Sequence, residues 1–153
     1  MRSLAGAVIL AVSIGCAAVE QEEPSRRPEI AFLAPADSWP FPFSPAVRVG
    51  DLLFLSGQIG SRTENGRPVL VTGGFEAEAR QTMDNIKQIL EANGSALDRV
   101  VKCTVMLADM ADWPAFNTIY ASYFPGPKPA RSALGANGLA LGARVEVECI
   151  AAA

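Results

Sequence analysis

Residues 75–94 read FEAEARQTMDNIKQILEANG. Phe75, Ala79, Met83, Ile86, Ile89 and Leu90 recur at intervals of three or four, so a single apolar stripe runs along one helix. Glu76, Glu78, Arg80, Asp84 and Lys87 take other positions, and Asn93-Gly94 is a helix stop. Beyond the stop the period changes to two. Val101, Cys103, Val105 and Leu107 alternate with Lys102, Thr104 and Met106, a strand signature. Asp112 is placed to cap a second helix, with Pro114 in its first turn and Phe116, Ile119, Tyr120 and Tyr123 as its buried face. Pro125, Pro127 and Pro129 end it, and two further strands are expected around 130–135 and 143–151. On the N-terminal side, Val47 and Val49, then Gly50-Asp51, then Leu52 to Leu55 read as two strands around a tight turn. Ser56-Gly57-Gln58 ends the second strand, and Asn65-Gly66 makes another hairpin turn. The order strands, helix, strand, helix, strands predicts an α+β fold, a mixed sheet with two helices packed on one face.

The chain has 153 residues, a length served by a single core. It carries 13 Lys or Arg against 16 Asp or Glu, a formal net charge of −3, and no histidine. The mild acidity withholds the positive field that nucleic-acid backbones require. The missing histidine excludes Ser-His and Cys-His nucleophile pairs, histidine zinc sites and imidazole switches. Acid–base chemistry therefore falls to a carboxylate, Lys, Cys or Tyr.

Residues 1–18 have the layout of a secretory signal: Arg2, an apolar run from Leu4 to Ile14, then Gly15-Cys16-Ala17-Ala18. The run is shorter than the ~20 residues of a spanning helix. Cys16 after Gly15 resembles a lipoprotein signal, in which that cysteine is lipidated and tethers the chain to a membrane; cleavage after Ala18 is the competing reading. The expected location is periplasmic or lipid-anchored, or cytoplasmic if the true start lies downstream. Residues 19–42 are charged and proline-rich and read as a linker, leaving 43–153 as the domain. Cys103 and Cys149 sit in strand-like alternation and are expected as buried free thiols, with a disulfide left open because spacing alone cannot set their distance.

In the last strand Val145, Val147 and Cys149 point one way and Arg144, Glu146 and Glu148 the other. Unpaired charges are almost never fully buried, so the polar side is either solvated or forms subunit contacts and a site. Arg131 stands alone among Ala130, Ser132, Ala133 and Leu134. A guanidinium in such surroundings calls for a carboxylate, supplied either by the protein or by a ligand.

Leu55-Ser56-Gly57-Gln58, Asn85-Ile86, Val101 to Val105, Phe116-Asn117, Tyr120, Pro129-Ala130-Arg131-Ser132 and Val145-Glu146-Val147-Glu148 together resemble the RidA (YjgF/UK114) family of imine deaminases. The resemblance spans roughly residues 43–151. It implies a chorismate-mutase-like homotrimer with clefts between subunits. It also implies hydrolysis of 2-iminopropanoate and 2-iminobutanoate, or related enamines, to the 2-keto acid and ammonia. On that pattern Arg131 clamps the substrate carboxylate and Glu146 activates the attacking water, with no metal or organic cofactor. Ser56, Gly57 and Asn117 match pocket positions. Phe43 stands where the family has a pocket tyrosine, Ala133 where it has a cysteine, and Ala140 where it has a proline. A non-catalytic trimer that holds a small carboxylate at Arg131 is the alternative. A ribonuclease, a label sometimes attached to this family, fits poorly with the acidic charge and the lack of a basic cluster.

Overall fold

The structure, a computed structural model, describes residues 27–34 and 41–153. Helix α1 spans Phe75–Ala92. It starts after Gly73 and Gly74, both at positive φ (115° and 81°), a backbone setting that glycine tolerates because it has no Cβ. It buries the anticipated stripe, Ile89 only partly, together with Glu78, Gln81 and Thr82. Helix α2 spans Trp113–Tyr123, with Pro114 in its first turn.

The strands are β1 (Ile30–Leu33), β2 (Ala46–Val49), β3 (Leu52–Leu55), β4 (Gln58–Ile59), β5 (Ser61–Glu64), β6 (Arg67–Leu70), β7 (Val100–Leu107), β8 (Ala130–Gly135) and β9 (Val145–Ala152). The main sheet runs β1-β2-β3-β9-β7-β8, with β4 paired to the first part of β9. Its ladders are antiparallel except β7–β8, which is parallel, and α2 is the crossover that a parallel pair needs. β5 and β6 form a separate hairpin turned by Asn65-Gly66, both at positive φ.

Both helices lie on one face of the sheet. Leu53, Leu55, Cys103, Val105, Leu107, Val145, Val147, Cys149 and Ala151 point to that face and are buried with Met83, Ile86, Leu90, Phe116 and Ile119. Each such apolar side chain contributes about 1.5–3 kcal/mol relative to exposure. Tyr123 packs against the margin of this core, partly buried, and its hydroxyl donates to Asp84 Oδ1 (2.8 Å) to tie α2 to α1. The other sheet face carries Glu146, Glu148 and Ile150, together with Leu52 and Phe54, each 40% exposed.

Three expectations are corrected. Ile30–Leu33 falls within the stretch read as a linker, yet it forms β1, paired residue for residue with β2. The rest of 19–42 is described only at 27–29, Ala34 and 41–42, and the signal segment with Cys16 lies outside the described residues. Cys103 and Cys149 are not free thiols: they are direct partners in the β7–β9 register and form a disulfide, Cα atoms 4.1 Å apart. Alternation gives the face of each cysteine, but only register makes them neighbours. Asp112 makes no side-chain cap; both its oxygens accept from Arg144 Nη2 at 2.8 Å, and Asp109 instead accepts from the Ala111 N–H.

Candidate active site

Arg131 is the second residue of β8 and the register partner of Cys103, so its side chain rises on the helix face of the sheet. There α2 presents Trp113, Asn117 and Tyr120, at spacings of four and three that share one helix face. The Arg131 guanidinium lies 4.5 Å from the Trp113 ring centroid and 4.6 Å from that of Tyr120. Its Nη2 donates to Asn117 Oδ1 at 2.7 Å. Among the described residues the ion pairs are Lys87–Glu91 and Arg144–Asp112, so no protein carboxylate neutralises Arg131. The described residues therefore supply no structural Arg–Glu pair, one of the two readings of this residue. Burial pushes the Tyr120 phenol up to about 12 against the opposing effect of Arg131.

Glu146 occupies the other face. It opposes Ile59 of β4 and Met106 of β7, whereas Arg131 sits on the register line of Cys103 and Cys149. Three residues along β9 separate those lines, about 10 Å at strand spacing, and the parity is opposite. Glu146 is half-buried, and its carboxyl is held above its ordinary range, first by desolvation and then by the nearby Glu148 charge. A raised carboxyl is a stronger proton acceptor once ionised. Its Oε1 lies against Gly57, where an added Cβ would come within 2.0 Å. This glycine allows the carboxylate to lie against the β3–β4 connection. Glu146 and Gly57 line a cleft of about 1180 Å³ whose apolar walls include Phe41, Phe43, Ile59 and Leu141. The Phe41 and Phe43 rings stack at 5.6 Å.

The profile of the family described as Endoribonuclease L-PSP matches residues 36–153. A 2-iminobutanoate/2-iminopropanoate deaminase of Mus musculus is 46% identical over 110 residues, 72% of this chain and 80% of that protein. The chain belongs to the RidA (YjgF) family. Reactive Intermediate Deaminase A, chloroplastic, of Arabidopsis thaliana is 44% identical over 110 residues, 72% of this chain but 58% of that longer protein. Among solved structures, RidA from the Antarctic bacterium Psychrobacter sp. PAMC 21119 superposes with a TM-score of 0.69 at 38% identity, covering 78% of this chain and 94% of its own. The YjgF gene product of E. coli gives 0.68 at 34%, covering 78% and 92%.

Within this RidA-family chain the residues singled out in the sequence divide into two sets. Phe43, Gly57 and Glu146 meet at the cleft. Arg131 and Asn117 meet on the other face, and Ala133, two residues along β8 on the Arg131 side, is exposed. Ser56 joins neither set: its hydroxyl donates to the Ser44 carbonyl at 2.6 Å and fastens the approach to β2. Trp113 and Tyr120 were not anticipated around Arg131, although their spacing with Asn117 was readable. Glu78 was also missed. Buried in α1, its Oε1 accepts from the Arg144 and Val145 N–H groups (2.5 and 3.3 Å) and fixes the start of the strand that carries Glu146.

Proposed function

We propose that this chain is a 2-imino acid deaminase whose complete site joins the Arg131 cluster of one subunit to the Glu146 cleft of another within a homotrimer. The observation that carries the proposal is an oriented, half-buried guanidinium with no carboxylate partner among the described residues. Its planar fork suits the carboxylate of a small acid. Glu146 takes a proton from water as the water oxygen bonds to the iminium carbon and the C=N π pair moves onto nitrogen; the carboxylic acid then returns that proton to the nitrogen, and the carbon–nitrogen bond of the tetrahedral adduct breaks as its hydroxyl gives up a proton to the carboxylate, leaving 2-keto acid and ammonia. The iminium carbon is already electrophilic, so positioning and one base supply what the step requires. Assembly is supported by the opposite placement of the two clusters, by the β8 edge, unpaired among the described residues, and by exposed Leu52 and Phe54 on the sheet face opposite the two helices.

An amino-acid oxidase generating 2-iminobutanoate in situ supplies the test. Wild type is expected to accelerate imine decay, Arg131→Ala to abolish the acceleration and Glu146→Gln to lower kcat with little change in carboxylate binding. Equal decay with wild type and Arg131→Ala overturns the deaminase reading. We also infer export, supported by the signal-like layout of residues 1–18 and by a disulfide of the kind that persists outside the reducing cytosol. Intact-mass measurement distinguishes a lipidated Cys16 terminus from cleavage after Ala18; a mature protein that retains Met1 overturns export.

A further inference from the structure

We propose that Trp113 and Tyr120 are positioning residues that set the plane of the Arg131 guanidinium, so that a carboxylate is captured by a fork already oriented and not already neutralised. This deepens the deaminase reading and rests on it. An arginine exposed at a sheet edge normally samples many rotamers, and ordering it on binding weakens affinity. Here two ring centroids lie 4.5 and 4.6 Å from the guanidinium carbon, and Asn117 takes one Nη2 hydrogen at 2.7 Å. A protein carboxylate could hold the group equally still, but it would compete with the substrate for the same N–H donors. Aromatic faces stabilise the cation through the ring quadrupole and leave the donors in the guanidinium plane available. Asn117, a neutral acceptor, fixes rotation within that plane and leaves the charge uncompensated.

All three side chains come from α2, the crossover joining β7 to β8, so the holder and the held group belong to the same parallel unit. Directly beneath, Cys103 pairs with Arg131 and is bonded to Cys149, which ties the Arg131 register to β9. Trp113 is half-buried, while the Tyr120 hydroxyl is buried without a hydrogen-bond partner among the described residues. The useful part of Tyr120 is therefore its ring.

The test combines calorimetric binding of 2-oxobutanoate, the inert product, with steady-state kinetics on 2-iminobutanoate. Trp113→Leu is expected to weaken 2-oxobutanoate binding and raise KM by about tenfold, with kcat changed less than about twofold. Trp113→Phe and Tyr120→Phe, which keep a ring, are expected to stay near wild type. Arg131→Lys keeps the charge but loses the planar group and is expected to bind as poorly as Arg131→Ala, whatever the folding of the Trp113 variants. Unchanged KM in a folded Trp113→Leu, a loss confined to kcat, or full binding by Arg131→Lys each overturns the positioning role. In those cases a dead Arg131→Ala leaves the deaminase reading standing. An Arg131→Ala that turns over imine like wild type sinks both.

Discussion

At the scale of single residues, Gly57 and Glu146 form one unit. Replacing Gly57 with alanine puts a methyl group 2.0 Å from the carboxylate oxygen, so the carboxylate must move. Gly57→Ala is expected to lower kcat by about 100-fold, the order of loss that a displacement near 1 Å produces, while its thermal midpoint stays close to wild type. Enzyme kinetics and a melting curve on the same preparation check both halves of the prediction. The Glu146 carboxyl is raised by burial and by Glu148. A base must be ionised, so activity falls as pH drops through this raised value, and the acid limb lies above the ordinary carboxylate range. Removing the like charge with Glu148→Gln lowers the Glu146 pKa and shifts that limb to lower pH in a pH–rate profile; a limb that stays put or moves upward contradicts the assignment. Two placements were legible in the sequence: Arg131 as a lone cation among small residues, and Glu146 on the polar side of the last strand by alternation, its role as a base coming only from the family resemblance. Their opposite facing was not, because it depends on which β7 residue each one meets.

At the scale of elements, the long-period signals were the readable ones. The α1 stripe, the α2 start near Pro114 and the alternation of β7 and β9 all recur where the periodicity puts them. β1 escaped because four residues inside a charged, proline-rich stretch show too little alternation to stand out, and its pairing with β2 supplies what its own sequence does not. The Cys103–Cys149 bond escaped for a related reason: the 46-residue separation says nothing about register. Purified oxidised protein, denatured without reductant, is expected to show no reactive thiol from either cysteine in a thiol titration. Adding reductant is expected to destabilise the fold by about 2–4 kcal/mol in denaturant melts, since the cross-link no longer restricts the unfolded chain. Glu78 adds a further tie, a helix carboxylate clasping the first N–H groups of β9.

At the scale of the whole molecule, the Arg131 cluster and the Glu146 cleft lie on opposite faces of the sheet. Strand alternation left the polar side of β9 either solvated or in subunit contacts, and the same face carries the exposed Leu52 and Phe54. Sedimentation equilibrium is expected to give a mass three times that of the chain, and a monomer at all concentrations overturns the assembled site. Placing the arginine and the glutamate on opposite faces of one sheet also has a genetic meaning. If the proposed inter-subunit site is right, Arg131→Ala and Glu146→Ala are each expected to be inactive alone, and a cell or refolding mixture making both is expected to form mixed trimers. A cleft with its arginine from one variant and its glutamate from the other would then be intact. With equal amounts and random assembly this occurs at about a quarter of the clefts, half the chance for each contributor. Two dead alleles should therefore yield a living enzyme at that fraction of wild-type activity, whereas a site contained in a single chain would yield none.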